Sequence, residues 1–121
     1  MTTHRIFETG ATRDSDDGKY DYEGFLSPLV IEAFGRYMHK HRKMKDGSLR
    51  DSDNWTKGIP RRQYVKSLWR HLMDVWLLSR GFSDQAVSKD IEESLCAIIF
   101  NAQGLLHEVL IGRDAEQNST A

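Results

Sequence analysis

Segment 89–111 carries the most regular apolar pattern in the 121-residue chain, and this pattern limits the fold. Its apolar residues recur at alternating intervals of four and three positions: Ile91, Leu95, Ile98, Ala102, Leu105 and Val109. A second row, Ile99, Leu106 and Leu110, widens the stripe. Such a pattern is typical of an amphipathic helix packed in a bundle. We therefore predict a helix over 89–111, capped by Ser88.

Two further helices are predicted from their end signals. Ser27 is a good N-cap and Pro28 a good first helical residue, so a helix is expected from there to about Lys43. Pro60 can open a second helix, which runs to Ser79 and stops at Gly81. The intervening segment 44–59 is predicted as a loop. The expected fold is all-α, a small bundle of three main helices.

The ends of the chain lack helical periodicity. Residues 1–25 are polar and rich in Gly and Asp, so we expect an extended N-terminal arm, followed by a helical domain over 26–112 and a polar tail over 113–121. Three helices of this length leave apolar surface uncovered in so short a chain. Oligomerisation, most simply as a dimer with a four-helix core, would cover it, and a monomeric three-helix bundle is the alternative.

Composition excludes several classes of protein. Lys and Arg number 17 against 18 Asp and Glu, so the net charge of -1 favours neither a nucleic-acid coat nor an acidic mimic. The single cysteine, Cys96, excludes a disulfide framework and a cysteine-based zinc site. A mean hydropathy of -0.59 and the lack of long apolar runs predict no membrane span and no signal peptide. We therefore expect a cytoplasmic protein with neither a membrane nor a nucleic-acid partner.

The second predicted helix places Ser67, His71 and Asp74 on one face. A Ser/His/Asp triad is disfavoured there, because the amides of a helix interior are already hydrogen-bonded and cannot form an oxyanion hole. His71 and Asp74 could instead hold a metal or a substrate phosphate, or satisfy only each other. His71 could also face a ligand across from Asn101.

The third predicted helix has a contrasting face of small and polar residues: Glu93, Ala97, Asn101, Gly104 and Glu108. Glycine in a helix interior costs about 1 kcal/mol relative to Ala. Either another helix approaches Gly104 closely, or a ligand needs the room. Asn101 suits the second alternative, because its amide offers a donor and an acceptor to a polar ligand.

Candidate phosphate and metal groups are dispersed along the chain. Glu32, Asp74 and Glu93 could supply oxygen ligands to Mg²⁺ if the three helices bring them together, although no Glu-x-x-Glu pair occurs. The basic cluster from Arg36 to Lys45 could be a solvated helix end, a site for ligand phosphates or a nucleic-acid contact.

Several short motifs together resemble a known family. They are Glu8-Thr9-Gly10-Ala11, Arg13-Asp14, Gly18-Lys19, Asp53-Asn54-Trp55-Thr56-Lys57-Gly58, Arg70-His71 and Phe100-Asn101. Over residues 6–110 the chain resembles a phage-borne family of dATP/dGTP diphosphohydrolases of the N-terminal-domain type, grouped with the MazG-like all-α nucleotide pyrophosphohydrolases. The resemblance implies a phage protein in the host cytoplasm that cleaves purine dNTPs to dNMP and pyrophosphate.

The hydrolytic hypothesis assigns roles to individual residues. His71, Asp74 and Glu93 would be catalytic, with Mg²⁺ held by Asp74, Glu93 and Glu32. The substrate would be bound by a larger set: Arg13, Lys19, Asn54, Trp55, Lys57, Arg70 and Asn101.

The chain departs from MazG-like enzymes at the metal motifs. These enzymes hold magnesium with a Glu-x-x-Glu pair and a later Glu-x-x-Asp pair, and this chain has Cys96 where the second pair would have Asp. Two alternatives therefore stay open. One is a non-catalytic protein that sequesters a nucleotide or cyclic-nucleotide signal against host defence. The other is a structural, virion-associated oligomer.

Overall fold

Local end signals and apolar periodicity produce four helices and one small hairpin in the computed structural model, which describes residues 4–113. The strands are β1 (His4–Ile6) and β2 (Thr12–Asp14). The helices are α1 (Tyr22–Phe25), α2 (Pro28–Lys40), α3 (Arg61–Ser79) and α4 (Ile91–Leu110). Two short 3-10 turns span Asn54–Lys57 and Ser83–Gln85. The predicted helical fold class is confirmed.

Helix α2 begins as predicted and ends early. The Ser27 hydroxyl accepts from the Val30 amide at 3.3 Å, and Pro28 is the first helical residue. The helix ends at Lys40 rather than near Lys43, because the chain then folds back on itself. The Arg50 amide donates to the Arg42 carbonyl at 2.9 Å and closes this turn. The basic residues beyond position 41 therefore lie on a folded loop and not on a helix end.

The α3–α4 connection confirms one end signal and corrects another. Gly81 follows α3 with a φ of 83°, the left-handed conformation that favours glycine at a helix end. The N-cap of α4 is Asp90, not Ser88. The Asp90 carboxylate accepts from the amides of Glu92 and Glu93 at 3.1 and 3.3 Å, and Ser88 only accepts from the Asp90 amide.

Helix α4 is central, with α3 antiparallel along it and α2 against another side. Its buried residues are mainly small or polar: Ser94, Cys96, Ala97, Asn101, Gly104 and Glu108. Its large aliphatic residues Leu95, Leu106 and Val109 are 45%, 56% and 49% exposed. The helix thus packs within the protomer through its small and polar face and leaves much of the predicted apolar stripe uncovered.

The N-terminal segment, expected to be an extended arm, has local structure within its described part. β1 and β2 pair antiparallel, with His4 opposite Asp14, and an Arg5–Asp16 ion pair at 3.0 Å ties the hairpin to the following residues. Asp21 caps α1 by accepting from the Gly24 amide at 2.9 Å. The predicted tail lies outside the described residues, except for position 113.

None of the helices in residues 4–113 is both long enough and apolar enough to cross a membrane.

Candidate ligand cavity

A cavity of about 470 Å³ lies between the C-terminal half of α2, the loop that follows it and one side of α4. Its walls include three aromatic rings, those of Tyr37, Trp55 and Phe100. Its polar lining includes Arg42 and Arg50, and the full polar set is His39, His41, Arg42, Arg50, Asp51, Ser52 and Asn54. The cavity therefore combines flat apolar walls with a cationic rim.

Each aromatic wall is held by a second ring. Trp55 meets His107 edge-on, with ring centroids 4.9 Å apart. Phe100 meets Tyr64 at 6.0 Å, and Tyr37 lies 4.3 Å from His41. Aromatic pairs at these separations are attractive and limit ring motion. The three walls are thus pre-formed, which reduces the entropy lost when a ligand binds.

The Tyr37 hydroxyl stays protonated at neutral pH. Burial is the largest cause that raises the pKa of Tyr37, and the nearby Glu93 raises it further. The cavity wall therefore presents a neutral phenol rather than a phenolate.

The two arginines supply the positive charge of the cavity. Arg42 Nε donates to the Arg50 carbonyl at 2.8 Å, which holds the loop across the cavity mouth. Within residues 4–113 neither guanidinium has an ion-pair partner, although Asp51 lines the same cavity. The mouth thus keeps cationic groups available to an anionic ligand.

Two helical glycines differ in what surrounds them, and for Gly104 the structure decides between close helix packing and room for a ligand. A Cβ on Gly104 would lie 2.3 Å from the Tyr64 ring, so Gly104 permits close packing of α3 on α4. Gly35, in the interior of α2, would meet nothing within 4 Å, and it lines the cavity. Helical glycine is disfavoured by about 1 kcal/mol. The position of Gly35 beside an open cavity is consistent with space kept for a ligand.

Of the predicted substrate-binding residues, Asn54 and Trp55 line the cavity. Lys57 lies on the same 3-10 turn but outside the lining, and Arg13 and Lys19 belong to the N-terminal segment.

Two further predicted ligand residues are engaged within their own helices. The buried Asn101 amide donates to the Ala97 carbonyl at 2.8 Å. Arg70 donates to Ser67 Oγ at 2.9 Å on the surface of α3.

The Asp74 carboxylate has a structural role. Its buried carboxylate accepts from the backbone amides of Val87 and Ser88, at 2.9 and 3.1 Å, and so fixes the chain that leads into α4. No hydrogen bond joins it to His71 among the described residues. Burial is the largest cause that lowers the pKa of His71, followed by the charge of Arg70, against the opposing effect of Asp74.

The other two predicted metal ligands take part in ion pairs. Glu32 pairs with Arg36, and Glu93 accepts from Lys40 Nζ at 2.9 Å. Within residues 4–113 no group of three or more His, Cys, Asp and Glu side chains could hold a metal ion. The structure therefore does not assemble Glu32, Asp74 and Glu93 into one such group.

Sequence reasoning did not assign Gly35, Tyr37 or Arg50 to the site. The available signals were the glycine inside a helix and the basic cluster that begins at Arg36. Both signals were ambiguous, because only the folded loop after α2 brings Arg50 back to the helix.

In comparisons with known proteins, the chain matches no family model, no curated protein and no solved structure.

Proposed function

We propose that this protein binds a nucleotide in the cavity beside α2 and holds it without cleaving it. The observation that carries the proposal is the combination, in one cavity, of three fixed aromatic walls and two arginines that have no ion-pair partner among residues 4–113. A nucleotide presents the matching chemistry, a planar base joined to an anionic phosphate chain.

The cavity matches a nucleotide in size and in recognition chemistry. Its volume of about 470 Å³ lies within the usual range for small-molecule sites. Stacking of a base on an aromatic side chain contributes about 1–3 kcal/mol, and a guanidinium can bond two phosphate oxygens at once. Asn54 offers an amide donor and acceptor to a base edge. The resemblance around Asn54-Trp55 makes purine deoxynucleotides the first ligands to test.

Retention without cleavage fits the positions of the carboxylates. Asp74 is held by two backbone amides, and Glu32 and Glu93 take part in ion pairs. The diphosphohydrolase activity implied by the resemblance needs carboxylates free to hold Mg²⁺ beside the phosphates.

The test measures thermal stabilisation by dATP, dGTP, dCTP and dTTP, each with and without Mg²⁺, followed by chromatography of the recovered nucleotide. We expect a concentration-dependent rise in Tm with purine nucleotides, no requirement for metal, and intact ligand. Release of pyrophosphate would instead establish the hydrolytic activity. No change in Tm with any nucleotide would contradict binding and favour the structural alternative.

Matched variants locate the site. Arg50→Gln removes an exposed cation of the cavity mouth and is expected to weaken affinity about tenfold or more, the equivalent of one charge-assisted hydrogen bond. Lys66→Gln removes the same charge from an exposed position of α3 outside the cavity and should leave affinity unchanged. Gly35→Leu places a side chain in the open space beside α2 and should abolish binding while the helix content is retained. Equal affinities in all three variants would show that any bound nucleotide lies elsewhere.

A further inference from the structure

One side of the α3–α4 pair is apolar and uncovered. The residues that define this α3–α4 apolar face are Trp69, Leu72 and Trp76 of α3 and Leu95, Leu106 and Val109 of α4. Each is between 45% and 63% exposed. Contiguous exposed apolar patches of this kind are uncommon on monomeric proteins and mark interaction sites.

The two helices present these residues on the same side. The helices are antiparallel, because Tyr64 near the start of α3 lies against Gly104 late in α4, and Asp74 bonds the residues just before α4. The buried residues of α3 are Tyr64 and Asp74, and those on the side of α4 that includes Gly104 are Ala97, Asn101, Gly104 and Glu108. At about 100° per residue, each apolar row lies about 140–150° around its helix from these residues, in the same rotational sense. In antiparallel helices the same sense places both rows on one side. On α4 this side is turned away from α2 as well as from α3.

The protomer buries little of its apolar surface. Its largest fully buried side chains are Tyr64, Glu108 and Ser94. The buried hydrophobic residues within 4–113 are Tyr64, Ala86, Cys96 and Ala97, so none of the large aliphatic side chains is among them.

We propose that a second copy of this chain covers the α3–α4 apolar face, related by a two-fold axis, so that two helix pairs form a four-helix core. A two-fold interface is self-complementary, and this face extends along both long helices. Apolar intervals of three and four residues suit the packing of such bundles. A standard interface takes about 800 Å² from each partner, and the six half-exposed side chains of this face, two of them tryptophans, supply most of that area. The ligand cavity lies between α2 and α4, so this pairing leaves it open.

The test is sedimentation of the full chain at micromolar concentrations. The expected mass is twice the 14.0 kDa of the chain. Leu106→Glu and Trp76→Glu each place a charge in the face and should reduce the mass to that of one chain. Leu29→Glu is the control, because Leu29 is 82% exposed on α2 and lies outside the face, so this variant should remain dimeric. Circular dichroism verifies that the variants are folded.

Two further measurements keep the test decisive if a charged variant unfolds. The Tm of the unmodified chain should rise with protein concentration, because dissociation accompanies unfolding of a dimer. Leu72→Ala, a milder change, should weaken self-association about tenfold or more. A single-chain mass for the unmodified protein overturns the proposal, as does a dimer that persists in Leu106→Glu but is lost in Leu29→Glu.

Discussion

At the scale of single residues, the contact between Gly104 and Tyr64 fixes how closely α3 and α4 approach. The absence of a side chain at Gly104 lets the Tyr64 ring lie over α4, where a Cβ would be 2.3 Å from Cε1 and Cζ. The ring cannot move away freely, because it is 1% exposed. This one contact outweighs the helix preference that would favour alanine.

Gly104→Ala is therefore expected to destabilise the protein by about 1–3 kcal/mol, as overpacked core substitutions do. Gly35→Ala is the matched control, because it makes the same change in a helix interior with no atom within 4 Å. That variant should gain up to about 1 kcal/mol from helix preference. Urea unfolding of the two variants measures both effects, and equal stabilities would contradict the close contact.

The Tyr64 hydroxyl is buried and has no hydrogen-bond partner among the described residues. An unsatisfied buried hydroxyl is costly, so Tyr64→Phe should leave stability at neutral pH unchanged or improve it. Burial first, and then Glu108, raise the pKa of Tyr64 to about 12, against the opposing effect of Arg113. The folded state thus keeps this proton at a pH where the unfolded chain, with its ordinary pKa of 10.0, has lost it.

The contribution of this retained proton to the free energy of unfolding is fully present below pH 10 and decreases as the pH rises from about 10 toward 12. Tyr64→Phe should therefore flatten the alkaline loss of stability, which urea unfolding across this interval measures. A variant with an unchanged alkaline slope would show that Tyr64 does not cause it.

At the scale of secondary-structure elements, an ion pair joins the end of α4 to the turn that carries Trp55. Glu108 is fully buried, and Arg113 contacts both of its carboxylate oxygens, at 2.6 and 2.7 Å. Arg113 also donates to the carbonyls of Thr56 and Lys57, at 3.2 and 3.4 Å. Arg113, three residues beyond the end of α4, thus helps to position Trp55 at one wall of the cavity.

Arg113→Ala leaves the Glu108 carboxylate without this cation, so the Tm should fall, and nucleotide affinity should fall because the turn loses two hydrogen bonds. Arg113→Lys keeps the charge but not the planar fork, and should be intermediate in both measurements. Glu108→Gln removes the charge at nearly constant shape and should cost about 1–3 kcal/mol. Affinity unaffected by Arg113→Ala would show that the turn holds Trp55 without the ion pair.

At the scale of the whole molecule, α4 separates two surfaces for which different roles are proposed. The cavity lies between α2 and α4, and the α3–α4 apolar face lies on a side of α4 turned away from α2. Nucleotide binding and self-association are therefore expected to be independent. The Leu106→Glu variant should bind nucleotide within about twofold of the unmodified chain, a difference well below the 1.4 kcal/mol that corresponds to tenfold. Calorimetric titration of both proteins tests this, and loss of binding in the folded monomer would instead make the site depend on the partner.

Local chemistry in the sequence indicated where α2 begins and where α3 ends. Ser27 with Pro28 and Gly81 were informative because capping bonds and turn conformations involve residues only a few positions apart. The loop that contains Trp55 was also recognisable from its lack of periodicity. The substrate-binding role predicted for Asn54 and Trp55 stays a prediction, and only the structure shows that both residues line one cavity.

The tertiary structure alone decided which face of α4 is buried and which residues surround the cavity. Apolar periodicity favoured the large aliphatic stripe, but the protomer packs through the small face because Tyr64 fits over Gly104. Asp74 was predicted to be a catalytic residue and a metal ligand, but its carboxylate accepts hydrogen bonds from the backbone amides of Val87 and Ser88. Arg50 lines the cavity only because the loop after α2 folds back. Each of these outcomes depends on contacts between residues distant in sequence, for which local pattern carries no signal.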